Sequence, residues 1–158
     1  MSFPLVPAVF DLRPCVGGWI KDRNILPGLA TSEMNPVVRA VAVGELTDQT
    51  LLAKIAVEDK WLQIRETAVK CLTNQPLLAK IADEDKSWPI RQAAVAQLSD
   101  PLLLAKTAVE AWDSDIREAA VKKLTDQELL GVIADRDKDP DVRLAAKARL
   151  EVMESKGR

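Results

Sequence analysis

An aliphatic–arginine pair returns every 26 residues: Val38-Arg39, Ile64-Arg65, Ile90-Arg91, Ile116-Arg117 and Val142-Arg143. A fixed period of a few tens of residues means that one supersecondary unit is copied along the chain. A single unit of that size cannot bury its own apolar stripe, so each copy must pack on the next.

Each period carries two apolar segments. The first, helix A, is Leu51-Leu52-Ala53-Lys54-Ile55-Ala56, which returns at 77–82, 103–108 and 129–134. One period earlier, Ile25-Leu26-Pro27-Gly28-Leu29-Ala30 is a worn copy. Apolar residues at i, i+1, i+4 and i+5 share one helical face, so a helix of about nine residues is expected. The second, helix B, places Ile64, Ala68, Val69 and Leu72 inward, as it does Ile90, Ala94, Val95, Leu98 and Ile116, Ala120, Val121, Leu124. That is an amphipathic helix whose small alanine column lets neighbours approach closely.

Punctuation agrees. Asn35-Pro36 and Asp139-Pro140 precede helix B as a cap followed by proline. Thr47-Asp48, Thr73-Asn74, Ser99-Asp100 and Thr125-Asp126 precede helix A, and Thr125 with Glu128 fits a capping box. Helices this short barely hold alone in water, so their stability must come from stacking. The expected fold is all-α, a right-handed α-α solenoid of about five two-helix repeats. Residues 25–152 form the solenoid, with 129–152 as a more polar end unit in which Lys147 replaces the valine column. Residues 1–24 are expected to be a capping segment or degenerate half-repeat, with a non-helical arm as the alternative, and 153–158 a tail.

The repeated string resembles HEAT-like repeats, best at Asp139-Pro140-Asp141-Val142-Arg143-Leu144-Ala145-Ala146, with units shorter than is usual for that family. It is also similar to the leucine-rich variant repeat, whose first helix tends to be 3₁₀. The resemblance covers about residues 25–150. It implies the architecture and an Asp–Arg ladder, and says almost nothing about function.

Composition narrows the chemistry. Histidine is absent, which removes the commonest general base and metal ligand. Two cysteines, Cys15 and Cys71, make neither a disulfide framework nor a metal set. Cys15 aligns with an inward column and Cys71 with an exposed one. No phosphate loop, dinucleotide fingerprint or Cys-x-x-Cys is present. A net charge of −2 argues against nucleic acid and acidic membranes. No segment has the length of a membrane span or the pattern of a signal peptide, so a cytoplasmic protein without enzymatic activity, cofactor or metal is expected.

Three residue sets are candidates for function. Arg39, Arg65, Arg91, Arg117 and Arg143 fall in the first turn of helix B, where a cation opposes the helix dipole. A ladder to acids of the preceding A–B turn explains them: Glu33, Asp59, Asp85 and Asp137, with Asp113 or Asp115 standing in for Ala111. A row of phosphate-binding arginines is the alternative. Trp61, Trp88 and Trp112 lie in three successive A–B turns, as an exposed aromatic edge or as rings packed on neighbouring turns. The outer face of helix B carries Glu66, Lys70, Gln92, Gln97, Glu118, Lys122 and Lys123, a mixed-charge surface suited to an unidentified protein partner or to solvent. A third possibility, a lyase-like accessory role toward a cofactor-bearing protein, rests on Cys71 alone.

Overall fold

A computed structural model describes residues 23–31 and 35–156. The described residues are all-helical. A 3₁₀ turn at Arg23–Ile25 leads into α1 (Leu26–Thr31), followed by α2 (Pro36–Gly44), α3 (Gln49–Glu58), α4 (Leu62–Cys71) and α5 (Gln75–Glu84). Then come α6 (Trp88–Gln97), α7 (Pro101–Glu110), α8 (Ser114–Val121), α9 (Gln127–Arg136) and α10 (Pro140–Lys156). The A segments are α1, α3, α5, α7 and α9; the B segments are the even-numbered helices. Helix A is therefore α-helical, with ten residues in α3, α5, α7 and α9.

Capping explains most starts. Asp48 accepts from Thr50 and Leu51, Asn74 from Leu77, Asp100 from Leu102 and Leu103, and Asp126 from Leu129. The α9 cap is thus Asp126, not the Thr125 of the expected capping box. Among the B helices, Asn35 caps α2 through Val37 N–H at 2.9 Å. The cap positions before α4 and α6 are Trp61 and Ser87, whose own side chains cap nothing. Aspartates two residues upstream serve there: Asp59 accepts from Trp61 N–H and Asp85 from Ser87 N–H.

Each A helix packs on its own B helix, and each B helix packs on the next. The B helices make a continuous row from α2 to α10, and the alanine column is what permits it: Ala68, Ala94, Ala120 and Ala146 are all fully buried. Ile64, Ile90, Ile116, Val69, Val95 and Val121 fill the space beside them, with Leu52, Leu78, Leu104 and Leu130 from the A helices. Full burial of one such side chain contributes about 1.5–3 kcal/mol.

Lys147 is exposed where the other units bury valine. Helix α10 runs on to Lys156, and Met153 packs against the core. The expectations for residues 1–22, Cys15 among them, lie outside the described residues, as does Glu33.

Candidate functional site

The arginine column builds a clamp between repeats. Arg39 donates from Nε to Ala30 O in α1 at 3.2 Å, and the other guanidinium groups reach a backbone carbonyl of their own A–B turn: Arg65 donates to Asp59 O, Arg91 to Asp85 O, Arg117 to Ala111 O and Arg143 to Asp137 O, at 2.7–3.0 Å. The carboxylate partners lie one repeat further on. Arg39 pairs with Asp59, Arg65 with Asp85 at 4.0 Å, Arg91 with Asp113, and Arg117 with Asp137 at 2.9 and 3.0 Å. The acid expected from the preceding turn therefore belongs to the following one. The preceding acid instead accepts its own turn's N–H through Oδ1. Asp59, Asp85, Asp113 and Asp137 all do this, at 2.7–2.9 Å. The arginine of the repeat before reaches the same carboxylate, at Oδ2 from Arg39 and Arg91, at both oxygens from Arg117, and on the Oδ1 side from Arg65.

Burial grades the clamps. Arg39, Arg91 and Arg117 are buried, while Arg65 and Arg143 are half-exposed. At Ala111 the acid column is empty, and Asp113, two residues on, reaches only one terminal nitrogen of Arg91. Arg91 Nε is left buried without a partner. Burial pushes the Asp137 carboxyl up, but hydrogen bonds from Arg117 and the Asp139 N–H, with the charges of Arg117 and Lys138, hold it below the usual carboxylate range.

A second clamp escaped the sequence reading. Gln75 donates to Gln97 O at 3.3 Å and accepts from Ser99 and Asp100 N–H at 2.7 and 3.1 Å. Gln49 does the same one repeat earlier, to Cys71 O and Thr73 N–H. Their recurrence 26 residues apart was the available signal.

The helix B face gathers half of the proposed partner residues. Trp88, Gln92, Glu118, Lys122 and Lys123 line one open groove of about 370 Å³ between α6 and α8, with Asp115 and Ala119. Glu118 and Lys122 pair at 2.5 Å across one helical turn. Lys123 is anchored: its ammonium donates to Val95 O and Ala96 O at 3.0 and 2.5 Å, and burial lowers it below its usual range. Glu66 and Lys70 pair at 2.6 Å on α4, outside the groove, and Gln97 is half-buried.

The three tryptophans are exposed but share no cleft. Trp88 enters the helix B groove. Trp61 has Lys60 over its ring at 6.0 Å. Trp112 lies against the Arg91 guanidinium at 4.8 Å, donates to Asp83 O at 2.9 Å, and faces a different cleft beside α9. Cys71 is half-buried, with its thiol 3.8 Å from Gly44 O, not in the exposed position its column implied.

Among the described residues no helix is long and apolar enough to cross a membrane, and no group of three metal-ligating side chains comes together. The fold and its clamps define an all-α protein of paired helices tied repeat to repeat through side chains. No family model, curated protein or solved structure matches the chain.

Proposed function

We propose that this chain is a cytoplasmic, non-enzymatic HEAT-like scaffold, a right-handed α-α solenoid of about five short repeats that binds another protein through its helix B face and A–B turn edge. The observation that carries the reading is the α6–α8 groove, where Trp88, Gln92, Glu118 and Lys122 from two successive units line one open surface. An exposed indole beside mixed charges and small alanines suits a protein surface, because tryptophan supplies contact area and the charges set register. The nucleic-acid alternative loses its main support: Arg39, Arg91 and Arg117 are buried and paired with carboxylates, so they have little charge to offer phosphates. The Cys71 alternative loses ground too, since a half-buried thiol beside a carbonyl is a poor nucleophile.

A photo-crosslinking residue at Gln92, compared with one at Lys80 on the outer face of α5, tests the reading in source cells. Protein adducts from position 92 and not from 80, lost on Trp88→Ala, are expected. Adducts of equal yield from both positions, or of nucleic acid in place of protein, sink it.

A further inference from the structure

The repeat supplies its own reference, and its departures cluster. In α5 and α7 the outer face carries Lys80 with Glu84 and Lys106 with Glu110, at 3.8 and 3.9 Å. At the same columns α9 carries Val132 and Arg136. In the turns that follow α3, α5, α7 and α9, Lys60, Lys86 and Lys138 share a column in which the remaining member is Trp112. All three departures, Trp112, Val132 and Arg136, line one cleft of about 350 Å³ between the α7–α8 turn and α9, with Val109 and Lys138.

The cleft has the makings of a binding site. Trp112 is 64% exposed, Val109 54% and Val132 51%. The indole is nonetheless held, by its hydrogen bond to Asp83 O and by Arg91 against its ring. An exposed aromatic already fixed in place loses little freedom on binding, which is the property of a hot spot. The charge leans positive: Arg117, Arg136 and Lys138 line the cleft against Glu110 and Asp137, and Asp137 is paired with Arg117 at the floor. Arg136 and Lys138 are exposed, and among the described residues their side chains make no hydrogen bond or ion pair.

We infer that this cleft binds an acidic peptide segment carrying a leucine-like or aromatic anchor. The anchor packs on Trp112, Val109 and Val132, and the flanking carboxylates meet Arg136 and Lys138. The volume sits at the low end of ligand clefts and fits one large side chain with its backbone. Two free cations are few for a nucleic-acid footprint, which draws on many phosphate contacts. The inference rests on the reading of the chain as a binding module but uses a different face from the helix B groove.

The test is fluorescence anisotropy of the full chain with a short dye-labelled peptide alternating Glu and Leu. A Lys/Leu peptide and a labelled oligo(dT) are the comparisons. The variant V132K/R136E restores the pair that α5 and α7 carry, so it keeps the fold, and far-UV circular dichroism verifies this. The wild type is expected to bind the Glu/Leu peptide saturably and not the Lys/Leu peptide, and the variant to bind at least about tenfold more weakly. No saturable binding, equal affinity of wild type and variant, or capture of oligo(dT) in preference to peptide overturns the inference. If Gln92 crosslinks still name a partner while the peptide fails, this cleft falls alone; if both fail, the scaffold reading falls with it.

Discussion

Arg117 and Arg65 occupy the same column but face different physics, and substituting each by Met separates them. Methionine keeps an apolar stem and removes only the guanidinium. Arg117 is 1% exposed, makes two bonds to Asp137, and donates to Ala111 O. Removing one partner of a buried pair strands the other, at about 3–5 kcal/mol. Arg65 stands 4.0 Å from Asp85, both side chains partly exposed, so its loss costs about 1–2 kcal/mol, most of it the bond to Asp59 O. With a urea m value of about 2 kcal/mol/M, the midpoint falls by about 1.5–2.5 M for Arg117→Met and by less than about 1 M for Arg65→Met. Tryptophan fluorescence and far-UV circular dichroism must give coincident transitions for these midpoints to be compared. The pH dependence is a second check. Asp137 titrates below its unfolded value of about 3.9, so its contribution is present above that pH and is lost as pH falls through the folded value. In Arg117→Met the burial that raises Asp137 remains and its main opponent is gone. The variant is then penalised at neutral pH, and the gap from wild type narrows as pH falls below about 4, where the wild type loses the Asp137 contribution. Equal midpoint shifts for the two substitutions, or a gap that does not change with pH, would refute the clamp as the source of this stability.

Two further outcomes follow from the packing. Gln75→Ala removes three bonds, to the end of α6 and to the loop that leads into the next repeat, and is expected to cost about 1–2 kcal/mol, with faster hydrogen exchange at the Ser99 and Asp100 amides; unchanged exchange there would show that the glutamine holds nothing. Ala94→Leu forces a larger side chain into the row of B helices, where the alanine is fully buried, and should cost about 1–3 kcal/mol by thermal or urea unfolding. Ala148→Leu on exposed α10 surface should stay within about 0.5 kcal/mol, and similar losses at both positions would contradict the close helix approach.

The helices and their inward columns were legible because burial has the same period as the chain: Ile64, Ala68 and Leu72 are buried for the reason that made them stand out. The direction of the arginine clamps was not legible. Asp59 is six residues from Arg65 and twenty from Arg39, so chain distance favours the wrong partner. What decides is that successive helices lie about 8–10 Å apart, within reach of an arginine, while Asp59 turns its carboxylate to Trp61 N–H in its own turn. The scattering of the tryptophans was written in the numbering. Reduced to one repeat, Trp112, Trp61 and Trp88 fall at three consecutive positions. Trp112 lies in the turn before α8, Trp61 at the extended cap of α4 and Trp88 at the first residue of α6, which sends Trp88 to the helix B groove and Trp112 back over Arg91. Gln49 and Gln75 were visible as a column, but their targets are backbone groups, which carry no sequence signature.

That last point bears on how such a chain acquires function. The links that tie one repeat to the next use a few fixed columns, arginine, aspartate, glutamine and alanine, and much of what they grip is backbone. The exposed columns are thereby released from structural duty, and a substitution there costs little. Lysine can become tryptophan at 112, or valine at 132, without loosening the stack, because neither column belongs to a clamp. Function in this architecture is then written where the repeat breaks its own rule on the surface. The break that gathers an indole, two valines and two unpaired cations around one cleft is the place where changing two side chains should alter binding and leave folding untouched.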